Sequence, residues 1–265
     1  MIIESSQNKY FKEAMLLKDK KYRQKSGLLL AEGQKQTEEI SGGWNIRRIF
    51  VSESFAEKNF YPDNKKTFIL SDSLFDKLSS TETPQGIVAV VEKKHYDTEK
   101  ILKESGFFVV LENIRDPGNL GTIIRSADAF GAQAVFISQG SADIYSDKCI
   151  RSTMGSIFHI PVIPEIETND ILGLMKKEKI KIFAASLDAK TYLKDTSFPK
   201  KSAIIIGNES KGLSSEIQKT ADKLIKIDIF GKAESLNAAI AASIIMYYIG
   251  SSEVRQLSSS ATARQ

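Results

Sequence analysis

The chain has 265 residues, 42% of them hydrophobic, and 37 Lys and Arg against 33 Asp and Glu give a formal net charge of +4. That length supplies a core for one large or two modest domains, and so mild a basic excess does not by itself argue for a polyanionic partner. One cysteine, Cys149, excludes an intramolecular disulfide, and with only His95 and His159 beside it no cluster has metal-ligand spacing.

The apolar runs are far shorter than the roughly 20 residues of a bilayer span, and the N-terminus lacks a signal-type apolar region. A soluble, cytoplasmic protein is expected. Cys149 reads as a small side chain within a helix.

The first 25 residues predict one helix, from about residue 8 to 25, closed by Gly27 as its C-cap. They carry Lys9, Lys12, Lys18, Lys20, Lys21, Arg23 and Lys25 among Tyr10, Phe11 and Tyr22. Such a mixture suits contact with phosphates and bases. It equally suits a solvated helix whose Phe11, Met15 and Tyr22 face a core. Next come a strand (LLLAEG from Leu28), a helix (QKQTEEIS), strands at IRRIFVSE and TFILS, a helix (DSLFDKLSS) and a strand (GIVAVVEK). This reads as a mixed α/β module spanning residues 1–95. Residues 96–105 are the linker candidate, where composition shifts to charged residues.

From Phe107 strands and helices alternate. FFVVL, AQAVFIS, IKIFAAS, SAIIIG and LIKIDI read as strands, with helices between them and a long apolar helix from Ser235 to Gly250. That alternation predicts a parallel sheet covered on both faces over residues 106–250. Residues 251–265, rich in Ser, Ala and Thr without apolar period, are expected to form a flexible tail.

Three loop-bearing segments at strand-to-helix joints stand out: NIRDPGNLG from Asn113, IIIGNESKG from Ile204, and IDIFGKAESLNAA from Ile227. In a parallel sheet the carboxyl ends of strands are where a ligand site is built. No Gly-x-Gly-x-x-Gly or Walker lysine loop follows a strand, and two histidines in unpromising contexts leave no Ser/His/Asp set. Dehydrogenase, ATPase and serine hydrolase readings therefore fall away.

In the first loop, Asn119 is expected to cap the following helix. Gly121 in its first turn costs about 1 kcal/mol relative to Ala, which suggests a close approach to the backbone there. Arg125, one turn on, either faces that ligand or pairs with Asp128 on the surface. In the second loop, Glu209 either accepts hydrogen bonds from a ribose and orients a hydroxyl, or helps Asn208 shape a turn. In the third, Ser235 is an N-cap candidate. Asn237, expected to be buried in an Ala- and Ile-rich helix, needs a polar partner.

Taken with RSTMGSIFHIPV from Arg151 and with LLLAEGQKQTEEI and TPQGIVAVV in the first module, these loops resemble the SpoU (TrmH-like) family of SPOUT RNA 2′-O-ribose methyltransferases. The resemblance implies an α/β fold: a SPOUT-type parallel sheet with a C-terminal trefoil knot, preceded by a small L30e-like substrate-binding domain. It implies S-adenosylmethionine as cofactor, a homodimer packed through the C-terminal domain, and RNA, ribosomal rather than transfer RNA, as substrate. A transfer-RNA ribose methyltransferase and a catalytically silent RNA-binding protein of the same fold are the alternatives. Carried over by motif, Asn119, Arg125, Glu209, Ser235 and Asn237 fall on catalytic positions. Gly207, Ile227, Leu236, Ala185 and Ser186 fall on cofactor-binding positions. One departure is Asp228, where the third motif usually has proline. The resemblance gives Arg125 the task of activating the ribose hydroxyl. A guanidinium gives up its proton only with difficulty, so orienting the oxygen and stabilising its developing charge is the role expected of it.

Overall fold

The computed structural model describes residues 2–40, 43–59, 66–208 and 211–262. The chain divides into two compact units, one made of Met1–His95 with Asp143–His159, the other of Tyr96–Ala142 with Ile160–Gln265.

In chain order the first unit contains β1 (Ile2–Ile3), α1 (Lys9–Leu16), α2 (Lys20–Ser26), β2 (Leu28–Glu32), α3 (Gln34–Glu38), β3 (Ile46–Ser52), α4 (Glu53–Lys58), β4 (Thr67–Leu70), α5 (Asp72–Leu78) and β5 (Ile87–Glu92). Its mixed sheet has the order β1-β4-β3-β5-β2, with β5 antiparallel to both β3 and β2. The single N-terminal helix expected from the sequence is two helices. Asp19 breaks it by accepting from the Tyr22 N–H and starting α2, while Gly27 at φ 67 closes α2 as expected. Phe11, Ala14 and Leu17 join Phe50, Leu74, Phe75 and Val88 in the core of this unit.

The basic stretch divides by use. Lys18 Nζ donates to the carbonyls of Lys77 and Ser79, both at 2.9 Å. Arg23 is buried, with Nη1 on the Leu17 and Lys18 carbonyls and Nη2 on Asp143 at 2.6 Å. Lys9, Lys12, Lys21 and Lys25 are exposed.

The remaining elements are α6 (Thr98–Lys103), β6 (Gly106–Leu111), α7 (Pro117–Ala129), β7 (Ala134–Ser138), α8 (Asp147–Thr153), β8 (Val162–Ile166), α9 (Thr168–Lys177), β9 (Lys181–Ala185), β10 (Thr191–Tyr192), β11 (Lys201–Ile206), α10 (Ser215–Thr220), β12 (Lys223–Lys226) and α11 (Ala238–Thr262). Helix α8, which holds the buried Cys149, belongs with the first unit. Ser80 Oγ donates to Asp147 at 2.6 Å and Trp44 Nε1 to the Phe158 carbonyl at 3.1 Å. Residues 96–105 hold α6, whose Leu102 is fully buried in the core of the second unit. Past Gly250 the helical backbone of α11 continues to Thr262.

The second sheet is parallel throughout, in the order β10-β12-β9-β11-β6-β7-β8. Strands covered on both faces carry continuous apolar runs rather than alternation, and β6, β7 and the last five residues of β11 are buried throughout. Helices α7 and α11 lie together, with Ser126 Oγ and Ser243 Oγ 2.7 Å apart. They approach closely enough that a Cβ on Gly250 would stand 2.7 Å from the Phe130 carbonyl oxygen.

Candidate active site at the carboxyl ends of the parallel strands

Strands β9, β11 and β12 end side by side, with Ile205 paired to Ala184 and Ile225 to Ala185. The loops that leave them enclose a cavity of about 410 Å³. Its wall includes Ala185, Ser186, Gly207, Ile227 and Leu236, the five residues that the resemblance assigns to the cofactor, together with Ser235. The aliphatic part of the lining comes from Ile206, Leu213, Ile225, Ile229 and Ile245. Charged groups of both signs, Asp188 and Glu234 against Lys211 and Lys226, also reach it.

Gly207 is where the second loop folds back on itself. A Cβ there would meet the Gly212 carbonyl carbon at 2.6 Å, and the Gly212 oxygen and Leu213 nitrogen at 2.7 Å. No side chain fits, and the bare backbone forms part of the wall. The turn closes through the Gly212 N–H on the Asn208 carbonyl at 2.9 Å. Gly212 itself takes φ 62, a conformation that favours glycine.

The second loop is tied to the first. Asn208 Nδ2 donates to the Asn113 carbonyl at 2.9 Å, and the Glu112 N–H to the Ile206 carbonyl at 2.9 Å. Asn113 adopts φ 58 and donates its N–H to Ser138 Oγ at 2.9 Å. The third loop is tied to the first as well, through Asn237 Nδ2 donating to Asn119 Oδ1 at 3.1 Å.

Two capping expectations are corrected. Asp116, not Asn119, caps α7: its Oδ1 accepts from the Asn119 N–H at 2.8 Å, and Pro117 takes the first helical position, where a missing N–H costs nothing. Asn237, not Ser235, caps α11, its Oδ1 accepting from the Ala239 and Ile240 N–H groups at 2.8 and 3.3 Å. Capping leaves Asn237 exposed rather than buried, because the helix begins after it. Arg125 is exposed on α7, and Glu209 lies outside the described residues.

Sequence reasoning missed Asp188, Gln218, Lys226 and Glu234 on the cavity wall. Gln218 accepts from Ser186 Oγ at 3.2 Å and donates to the Leu213 carbonyl at 2.9 Å, joining two of the converging segments. It sits on α10 outside all three signature loops, and its spacing gave no signal. Among the described residues no group of three or more His, Cys, Asp or Glu is placed to hold a metal ion, and no helix is long and apolar enough to cross a membrane.

Comparison with known proteins gives the family. Residues 106–247 match the family model described as SpoU rRNA Methylase family, and residues 8–89 match the MRM3-like substrate binding domain. The chain is 33% identical over 248 residues to the 23S rRNA (guanosine(2553)-2′-O)-methyltransferase RlmP of Bacillus subtilis, covering 93% of this chain and 98% of that protein. It is 29% identical to the 23S rRNA (uridine(2479)-2′-O)-methyltransferase of Streptomyces viridochromogenes, with 98% and 94% covered. Among solved structures, the AdoMet-bound rRNA methyltransferase from Sinorhizobium meliloti aligns with a TM-score of 0.83 at 27% identity, covering 94% of this chain and 97% of that one. The chain belongs to the SpoU rRNA methylase family.

Proposed function

We propose that the protein transfers a methyl group from S-adenosylmethionine to a ribose 2′-oxygen of ribosomal RNA. The observation that carries this reading is the convergence of the three loops, tied through Asn208 to Asn113 and through Asn237 to Asn119, beside one cavity. The cavity suits the cofactor. Its volume lies within the range of about 300–1,000 Å³ typical of small-molecule sites. Its aliphatic walls fit an adenine, its carboxylates fit ribose hydroxyls and an ammonium, and its two lysines fit a carboxylate. The backbone at Gly207, with no room for a side chain, supplies hydrogen-bonding groups at close range.

When bound, S-adenosylmethionine would supply a methyl on a sulfonium: the 2′-oxygen bonds to that carbon as the carbon–sulfur bond breaks in line, the neutral thioether leaves and the hydroxyl proton passes to solvent. The residues of this chain have to hold and align that oxygen, and positioning of this kind accounts for much of the acceleration of a bimolecular step. In this reading Gly207, Ile227, Leu236, Ala185 and Ser186 hold the cofactor. Arg125 orients the 2′-oxygen and offsets the negative charge that develops on it. Glu209, Ser235, Asn119 and Asn237 complete the acceptor side. The mutual hydrogen bond of the two asparagines supports assigning them to one site.

The same reading includes a trefoil knot, a homodimer and a cytoplasmic location. Support for the knot is the insertion of β11 between β6 and β9, both formed earlier in the chain. Support for the homodimer is an exposed apolar stripe on α11 at helical spacing: Ile240, Ile244 and Tyr247. The exposed Lys9, Lys12, Lys21 and Lys25 provide charge for RNA phosphates on the first unit.

The test is transfer of labelled methyl from S-adenosylmethionine to ribosomal subunits, free ribosomal RNA and transfer RNA from cells lacking the protein, with the intact chain and with Arg125→Ala. Label at one ribosomal 2′-oxygen, present only with the intact chain, is expected, with cofactor binding kept by the variant. Label on transfer RNA alone would overturn the substrate. Cofactor binding with no label on any RNA would replace the enzyme with a silent RNA-binding protein.

A further inference from the structure

We propose that the ion pair between Asp228 and Lys194 is a clasp that holds the loop 227–237 against the cofactor cavity, making both side chains positioning residues for cofactor binding. The proposal rests on the reading of that cavity as the S-adenosylmethionine site.

Asp228 stands between Ile227 and Ile229, both on the cavity wall, but is not itself part of the wall. Its carboxylate accepts from Lys194 Nζ at 2.8 Å. The side chain of Asp228 is only 18% exposed, against 59% for Lys194, so a largely covered carboxylate is met by an ammonium reaching in from solvent. The hydrogen bond with Asp228, followed by the charge of that carboxylate, raises Lys194 above the usual lysine range.

What makes this contact more than a surface pair is the place of Lys194 in the chain. It follows β10, whose Tyr192 pairs with Lys226, the last residue of β12. The clasp therefore extends the β10–β12 pairing two residues further, into the cofactor loop. The carbonyl of Lys194 in turn accepts from the Tyr248 hydroxyl of α11 at 2.9 Å. One residue thus fastens the start of the loop through its side chain and the helix that follows the loop through its backbone. The Tyr192 ring, with Lys194 Nζ at 5.2 Å and Lys226 Nζ at 4.9 Å from its centroid, steadies the same corner. Between these anchors the loop has no regular structure, and residues 230–235 are exposed. Without the clasp, Ile227 and Ile229 would have to be ordered by the cofactor itself, and that ordering would be subtracted from its affinity.

The experiment is calorimetric titration of S-adenosylmethionine and of S-adenosylhomocysteine into the full chain at low and high salt. Asp228→Asn, Lys194→Met and the double variant are compared, with amide hydrogen exchange across 227–237 and melting temperatures as further readouts. Each single variant is expected to bind about five- to tenfold more weakly, and the double variant no more weakly than either single one, as for a coupled pair. Exchange in the loop should quicken while the melting temperature stays near that of the intact chain. Because the ammonium is solvated, high salt should weaken binding by the intact chain more than by the variants. Unchanged affinity in both single variants, or losses that add in the double variant, would overturn the clasp. If the intact chain binds neither compound, the reading of the cavity fails instead.

Discussion

Asn237 and Asn119 join the last helix to the first signature loop through one hydrogen bond of 3.1 Å, while the other end of the Asn237 amide caps α11. The two uses separate by chemistry. Asn237→Asp keeps the capping acceptor and removes the donor, so it should melt near the intact chain yet lose most methyl transfer. Asn237→Ala removes both and should also lose about 1 kcal/mol of stability, as for other N-cap deletions. Asn119→Ala should lower transfer with no capping cost, because Asp116 caps α7. Melting curves set beside methyl-transfer rates check all three. An Asn237→Asp chain that turns over normally would remove Asn237 Nδ2 from the site.

Gly207 and Gly173 make a matched pair for substitution by alanine. At Gly207 the new methyl would stand 2.6 Å from backbone, which cannot swing away as a flexible side chain could. Gly207→Ala should therefore cost about 1–3 kcal/mol, as overpacking does, and weaken cofactor binding at least about tenfold, a loss of roughly 1.4 kcal/mol. At Gly173 in α9 nothing lies within 4 Å of the added Cβ. Gly173→Ala should be neutral or stabilise by up to about 1 kcal/mol. Calorimetric cofactor titration and chemical denaturation measure both. Normal binding by Gly207→Ala would show that the loop can open at no cost.

What the sequence made legible follows from burial. Strands covered on both faces are apolar runs, so FFVVL at β6 and AIII at β11 stand out, and their carboxyl ends mark the site. Elements of two residues, β1 and β10, are too short to show a period. The Asp19 cap that divides α1 from α2 is hidden among lysines that suit a continuous helix. Asn237 reads as buried from the sequence and is exposed in the fold because one residue decides whether a polar group lies inside a helix or caps it. Gln218, Asp188 and Lys226 reach the cavity only because β9, β11 and β12 end side by side. That is a property of strand order, and no local pattern encodes it.

The exposed stripe on α11 carries the dimer proposal. Ile240 is 53% exposed, Ile244 38% and Tyr247 59%, and three large apolar groups on one helical face form a patch rather than scattered exposure. The intact chain should sediment as a dimer at micromolar concentration. Ile240→Glu combined with Ile244→Glu should sediment as a folded monomer, since two charges on each copy would have to be buried. A monomeric intact chain would leave the stripe for another partner.

Asp222 gives a pH dependence at the other end of the parallel strands. Its carboxylate accepts from Lys181 Nζ at 2.8 Å and from the Ile182 N–H at 2.8 Å, fixing the start of β9 beside β12. Burial alone would raise its pKa, but the Lys181 hydrogen bond, the Ile182 N–H and the charges of Lys181 and Lys176 together outweigh that and hold it below the usual carboxylate range. A carboxyl whose pKa is lowered by folding adds stability above its unfolded value of about 3.9, and that stability disappears as the pH falls through the lower folded value. Asp222→Asn should therefore cost about 0.5–1 kcal/mol near neutrality, the scale of a partly exposed ion pair. The difference from the intact chain should stay constant down to about pH 5 and shrink as acid protonates the carboxylate in both folded and unfolded states. Urea denaturation at a series of pH values measures it. A difference that persists undiminished in strong acid would assign the stabilisation to packing around Asp222 rather than to its charge.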